Sequence, residues 1–275
     1  MKDEINPIEI LKATPKNNCK KCGYDTCLAF ATALVRRTTN LSKCPYLEIN
    51  DILRQKINKH FSNNNVQRKP GMHALTMLEK KIKSLDLKTI SANLNLMYKK
   101  KGSSEIVKIK YLDTTVNLFR EKDSVYLAKE NGEELDLYDK ILVYNYIFFS
   151  GDEGISGVWV GIESLHNSIS KVKALEKGAA KPLAKFFSGK LNLLIERAKK
   201  YPHKILPKKK CIADLCVIIY LFPMLPIRIN FSDAMEEEGF EASAKFLFDK
   251  HVISYIDLES LVFASEKVTE KLITP

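Results

Sequence analysis

The sequence predicts an α+β chain in which a small, mostly helical, cysteine-bearing module precedes a larger α+β domain with antiparallel strands. Three observations carry that expectation. Cys19, Cys22, Cys27 and Cys44 crowd into the first fifth of the chain. A polar stretch rich in Asn, Lys and Gln runs from Asn58 to Gly71. Beyond it, strands come in runs bracketed by helices, without the strict alternation that builds a parallel sheet. The expected division is a module over residues 1–57, a linker over 58–73 and an α+β domain over 74–275.

Taken in order, the first element is a short helix opening at Asn6-Pro7, since proline suits the first helical position. The second runs from Cys27 to Arg37, with Asp25 or Thr26 as its cap. Ala29, Ala31 and Ala33 keep it slim, and Leu28, Leu34 and Val35 offer a face to the opening helix. The polar stretch lacks apolar periodicity, reads as a linker and ends at Pro70-Gly71. Ala74 to Leu87 has helical spacing, with Leu75, Leu78 and Ile82 on one side. From Asn93 to Lys129 the pattern turns to alternation through Ile106, Val107, Ile109, Val116, Leu118, Val125 and Leu127, which predicts an antiparallel meander. Leu135 to Phe149 is helical again, and Gly157 to Ile162 reads as a buried strand with Trp159 in the core. Helices follow at Lys181–Phe187 and Leu191–Lys200. Cys211–Phe222 and Ile227–Phe231 are the strongest strands, broken by Pro223 and Pro226. The closing helix, Asp257 to Ile273, turns Leu258, Leu261, Val262 and Val268 inward.

The cysteine spacing is C-x2-C-x4-C-x16-C, with Pro45 directly after the last. An iron–sulfur cube needs thiolates converging from different directions, three from a wrapping loop and a fourth from a later segment. A structural zinc site usually presents two close pairs, whereas here there is one, and no histidine precedes His60. Zinc and ordinary cysteines stand as the alternatives. Gly23 lets the backbone approach inorganic sulfide and leaves its N–H for sulfur. Cys27, in the first turn of its helix, sits where the dipole favours a thiolate. Lys16, Lys20 and Lys21 add positive charge beside the loop, as solvated surface or as tuning.

The N-terminus has no signal-peptide pattern, so the expected compartment is reducing and cytoplasmic. No apolar stretch approaches the length of a membrane span. Cys211 and Cys216 accordingly read as small buried hydrophobes and not as a disulfide.

The stretch from Leu11 through Cys19, Cys22, Gly23 and Cys27 to Ala31, closed by Cys44-Pro45-Tyr46, resembles the small [4Fe-4S] domain of the large subunit of the corrinoid iron–sulfur protein. It is also similar to a module in the B subunit of the Rnf electron-transport complex. The resemblance implies one low-potential [4Fe-4S] cluster on Cys19, Cys22, Cys27 and Cys44, and it covers only about the first fifty residues. The barrel and cobalamin domain of the one family, and the further ferredoxin-type cysteine runs of the other, have no counterpart here. A second resemblance rests on Gly157-Val-Trp159, Leu221-Phe-Pro223-Met-Leu-Pro226, Asp233 to Phe240, Phe248-Asp249 and Asp257-Leu-Glu259. These residues are similar to a domain family of unknown function from anaerobic bacteria and archaea, often joined to this cluster module.

Other candidate residues lie in the larger domain. Asp233, Glu236, Glu237, Glu238 and Glu241 form an acidic loop that reads as a solvated loop or as a cation or general-base site. His166, with Glu163 nearby, reads as structural or as a ligand to a cobalt cofactor. No dinucleotide fingerprint, phosphate-binding loop or serine-nucleophile elbow occurs. The net charge of +11 suits a basic face that steers an acidic redox partner. Nucleic acid is not expected, since aromatic residues are not interleaved with the basic ones. The reading is therefore single-electron transfer in anaerobic metabolism, with a corrinoid protein or methyltransferase as redox partner by analogy. The alternatives are an enzyme in the C-terminal domain fed by the cluster, which requires a pocket joining the acidic loop, Glu163 and His166, or a binding protein with a structural or sensing cluster.

Overall fold

The computed structural model describes residues 5–35, 39, 41–62, 65–122 and 124–274. It contains two compact units, one ending at Pro70 and the other beginning at Gly71.

The first unit is helical. Helix α1 (Pro7–Lys12) starts where the Asn6 side chain accepts from the Glu9 N–H at 3.0 Å. Helix α2 (Cys27–Val35) is capped by Thr26, whose hydroxyl oxygen accepts from the Ala29 N–H at 3.0 Å. Arg36 and Arg37, expected to continue it, lie outside the described residues. Helix α3 spans Asp51–Ser62, and α4 (Asn65–Lys83) begins in this unit and continues into the next. Ile5, Ile10, Phe30, Leu34 and Ile57 form the core, with Cys44 buried among them. The polar stretch read as a linker is thus helical along α3 and α4, and Pro70 sits inside α4. Lys, Gln and Arg are good helix formers. A missing apolar stripe removes the sign of a buried face without removing that propensity.

The second unit has two antiparallel sheets and one continuous core. Helix α5 (Leu87–Asn93), which the sequence reading missed, is capped by Asp86. Strands β1 (Met97–Lys101), β2 (Ser104–Tyr111), β3 (Thr114–Arg120) and β4 (Val125–Lys129) form the expected meander in order β1-β2-β3-β4. Val107, Ile109, Val116, Leu118, Val125 and Leu127 are buried on one of its faces. Helix α6 (Leu137–Phe149) follows. The strand expected at 157–162 shrinks to β5 (Trp159–Val160), and Trp159 is half-buried with the Arg228 guanidinium 6.0 Å from its ring centroid. Helix α7 (Ile169–Leu175) runs through a π-turn at Glu176–Ala180 into α8 (Lys181–Phe187), and α9 (Leu191–Ala198) comes next. A methyl group on Gly178, in that turn, would meet the Glu266 carboxylate.

The second sheet joins β5 to β6 (His203–Ile205), β7 (Leu215–Phe222), β8 (Leu225–Ser232) and β9 (Ser243–Asp249) in order β5-β9-β8-β7-β6. Pro226 lies within β8 beside a register shift between Tyr220 and Phe222. Helix α10 (Leu258–Ile273) closes the chain under an Asp257 cap. The two sheets meet where the Leu112 N–H donates to the Leu221 carbonyl at 3.0 Å and Phe222 stacks on Tyr111 and Tyr146.

Two buried polar sites lock this core. Lys267 of α10 reaches Asp139 of α6 at 3.1 Å and Asp136 at 3.4 Å, and the Tyr111 hydroxyl of β2 donates to Asp139 at 2.6 Å. Burial pushes the Asp139 carboxyl above the usual range despite the Tyr111 bond and the Lys267 charge. Burial opposes the Lys267 charge, yet Asp139, Asp136 and Glu270 hold its pKa above the lysine value. At the other site Asp249, 3% exposed, accepts from Ser156 Oγ at 2.9 Å, Gly157 N–H at 2.7 Å and His251 N–H at 3.0 Å. Burial works against its charge, but these bonds prevail and hold its carboxyl below the usual range.

Lys267→Met leaves Asp139 buried beside no cation and should cost about 3 kcal/mol at neutral pH by urea unfolding. Because the pKa of Asp139 is raised, that loss should shrink as pH falls through it, and adding Asp139→Asn should recover stability; a double variant no better than the single one would contradict this. Asp249→Asn should cost about 2 kcal/mol at neutral pH. A depressed carboxyl stabilises above its unfolded pKa of about 3.9, so the gap to the parent should close as pH falls below that value.

Candidate metal centre

The loop from Pro15 to Thr26 carries Cys19 and Cys22, leads into Cys27 at the start of α2, and reverses direction repeatedly. Lys16, Asn18, Lys20 and Gly23 have φ of 57°, 49°, 58° and 81°. Left-handed backbone costs about 1–2 kcal/mol for a residue with a Cβ, and Asn and Gly tolerate it best. No atom lies within 4 Å of the Cβ that Gly23 lacks, so its conformation and not crowding asks for glycine. Its N–H is turned to the Lys20 carbonyl at 2.9 Å. The N–H expected to remain for a sulfur is therefore engaged within the loop.

The loop is tied to α2 at its first residue. Asn18 Oδ1 accepts from the Cys27 N–H at 2.9 Å, so one loop side chain holds the backbone of the third cysteine. Cys27 itself is buried at the helix N-terminus, beside the positive end of the dipole. Cys19 and Cys22 are half-buried, and Cys22 packs with Tyr24 against the module core.

The segment that follows the fourth cysteine returns to the start of the loop. Cys44 follows the short turn Leu41–Lys43 and is buried in the core. Just after it the Glu48 N–H donates to the Ala13 carbonyl at 2.9 Å, drawing that segment to the end of α1, where the loop begins. Cys19, Lys21, Pro45 and Tyr46 consequently line one cleft. Lys21 donates to the Tyr46 hydroxyl and lies 5.0 Å from its ring centroid. That hydrogen bond raises the pKa of Lys21 above its usual value. The Lys20–Asp25 pair at 3.1 Å is solvent-exposed and contributes little. Asn18 has no role in the sequence reading, and Tyr46 enters it only as the end of the matching stretch; Asn is a common choice where the backbone turns left-handed, which is the signal that points to Asn18.

All four thiols are free. Among the described residues no three His, Cys, Asp or Glu side chains gather tightly enough to hold a single metal ion. The donor set is nonetheless sulfur-only, drawn from a wrapping loop, a helix start and a returning segment. Thiols are the donors that an iron–sulfur cluster takes.

The other candidates do not converge. Glu163 pairs with Lys245 at 3.4 Å, and His166 is exposed. Asp233 accepts from the N–H groups of Gly189 at 2.7 Å and Ala234 at 2.9 Å, bonds that shape a turn. Glu237, Glu238 and Glu241 are exposed, and the Glu236 side chain lies outside the described residues. A cleft beside this loop is lined by Ala184, Phe240, Glu241 and Ala244, and neither Glu163 nor His166 reaches it. The pocket required of a cluster-fed enzyme is not formed by these residues. Cys211 and Cys216 also depart from expectation, for they form a disulfide with Cα atoms 5.5 Å apart. Two apolar cysteines five apart reveal nothing of whether their Cβ vectors meet; the loop entering β7 brings them together.

Comparison with known proteins agrees with this division. A family model described as "Putative Fe-S cluster" matches residues 15–46. Over 47 residues the chain is 47% identical to the acetyl-CoA decarbonylase/synthase complex subunit gamma of Methanocaldococcus jannaschii, covering 17% of this chain and 10% of the relative. Over 43 residues it is 46% identical to the corrinoid/iron-sulfur protein large subunit of Moorella thermoacetica, covering 16% and 10%. The chain thus spans about a tenth of the length of these curated relatives, all of it in the cysteine module. No solved structure matches the chain. The N-terminal segment is of the iron–sulfur type. A second family model, Domain of unknown function (DUF3786), matches residues 86–271, more than half of the sequence and nearly all of the second unit, and the chain belongs to this family.

Proposed function

We propose that Cys19, Cys22, Cys27 and Cys44 hold one [4Fe-4S] cluster and that the chain passes single electrons in anaerobic metabolism, in the service of a corrinoid-dependent methyl-transfer system. The first unit is the carrier, and the second recognises the partner. The observation that supports this most directly is the return of the segment just after Cys44 to the loop that carries Cys19 and Cys22 and leads into Cys27, in the stretch that matches iron–sulfur proteins. A bound cluster of this type supplies a one-electron couple.

The chain's own residues prepare for that charge. The α2 N-terminus favours a thiolate at Cys27. Asn18 keeps that end of the helix fixed to the loop. The Lys21 ammonium, which donates to the Tyr46 hydroxyl, adds a positive group beside Cys19. The module core behind Cys22 and Cys44 keeps water from that side of the thiols. Association with a corrinoid system is drawn from one of the two relatives named above, the corrinoid/iron-sulfur protein large subunit.

Anaerobically purified protein should contain about four iron and four acid-labile sulfide per chain and give an S = 1/2 signal on reduction. Stoichiometric zinc without sulfide would end the reading, and a cluster that no low-potential reductant can reduce would leave it a structural element. Cys22→Ser should lose or convert the cluster while the second unit keeps its thermal transition. Loss of that transition would show that the two units do not fold independently.

A further inference from the structure

The exposed face of the β1–β4 sheet carries a feature that the linear sequence does not show. Antiparallel pairing sets Lys99, Ile106, Phe119 and Tyr126 side by side across the four strands. The neighbouring row on the same face runs Met97, Lys108, Asn117 and Ala128, and Lys110 stands opposite Thr115 beyond it. The opposite face is the one that supplies the core. Phe119 and Tyr126 stack with ring centroids 4.9 Å apart at 14°. Tyr126 is 43% exposed and Met97 55% exposed, so this apolar centre meets solvent.

Around the centre the unpaired charge is mostly positive. Lys99, Lys101 and Lys110 are exposed and form no ion pair among the described residues, while Lys108 is held by Glu130 at 2.6 Å. Glu121 accepts from the Tyr126 hydroxyl at 3.4 Å at the far edge. An apolar, aromatic- and Met-containing centre within a charged rim has the anatomy of a protein interface. A row of lysines asks for carboxylates opposite.

We propose that this face is a docking surface for the acidic face of a partner protein. A nucleic-acid platform would present open ring faces to bases, but here the two rings use a face on each other, and Met97 and Ile106 fill the rest of the centre with aliphatic surface. Since the choice of an electron carrier as partner rests on the electron-transfer reading, an acidic 2[4Fe-4S] ferredoxin is the appropriate probe.

The test uses the full chain with its cluster in place, with binding to that ferredoxin followed by biolayer interferometry at roughly 25 and 250 mM salt. An oligo-dT of about twenty nucleotides is measured alongside. Binding should weaken as salt screens the rim, and Tyr126→Ser and the pair Lys99→Glu/Lys108→Glu should each weaken it at least about tenfold. Lys173→Glu, on α7, should leave it unchanged. Circular dichroism and iron content on the same samples report fold and cluster. No ferredoxin binding, or binding that the face variants leave intact, overturns the proposal, as does tighter binding of the oligonucleotide through the same residues. A reducible cluster with no ferredoxin binding sinks only the docking surface, whereas a cluster that cannot be reduced sinks the electron-transfer reading and leaves the face variants to be judged by binding alone.

Discussion

Three cysteines within the nine residues from Cys19 to Cys27 can face one point only if the backbone between them turns back on itself, and the first unit depends on that constraint. The chain turns there with left-handed residues at Lys20 and Gly23, and with Asn18 just before Cys19. A conformation that costs free energy at each residue has to be held by something else. Here the holds are the Asn18 side chain on the Cys27 N–H, the Thr26 cap on α2, and the Glu48–Ala13 bond that returns the Cys44 segment. Behind them a small core of Ile10, Phe30, Leu34 and Ile57 gives the loop a surface to close on. Cluster chemistry in the proposed sense follows from that order, since four thiols on a loose chain would have no common direction.

The second unit solves a different problem. Its core is extensive and apolar, which fixes that it collapses but not which helix meets which strand, because hydrophobic burial has no direction. Direction comes from the polar groups taken inside. Lys267, Asp139 and Tyr111 join α10, α6 and β2 at one point, and Asn145 of α6 donates to Asp257 and Ser260 at the start of α10. Asp249 performs the same service for the glycine-containing loop at 154–157, gathering Ser156, Gly157 and His251 about one carboxylate. The disulfide of Cys211 and Cys216 ties the loop before β7 to that strand.

Much of this was legible in the chain. The meander of β1–β4, helices α6, α8 and α10 and the strong strands β7 and β8 follow from alternation, helical spacing and caps, all of them local signals. Other elements were not: helices α5 and α7, β6 with three residues, and β9, which mixes Lys245 into its apolar run. They persist because neighbours cover them, which a window along the chain cannot register. Trp159 was placed in a buried strand by its type alone, yet β5 lies at a sheet edge and leaves it half-exposed. The acidic loop, Glu163 and His166 were each plausible ligands by residue type, and the fold sends them to separate tasks.

By itself the sequence determined which residues are the candidates for the chemistry proposed for the N-terminal module, because a wrapping loop requires its thiols close together along the chain and spacing is a linear property. It also determined the α+β class, through periodicities that each segment carries within itself. Tertiary structure alone decided what is adjacent across strands. Lys99, Phe119 and Tyr126 are separated along the chain, and only the antiparallel register of β1 to β4 makes them one surface. A shift of one residue in that register would turn the set to the opposite face. Pairings of that kind depend on distant segments meeting, and no local pattern encodes them.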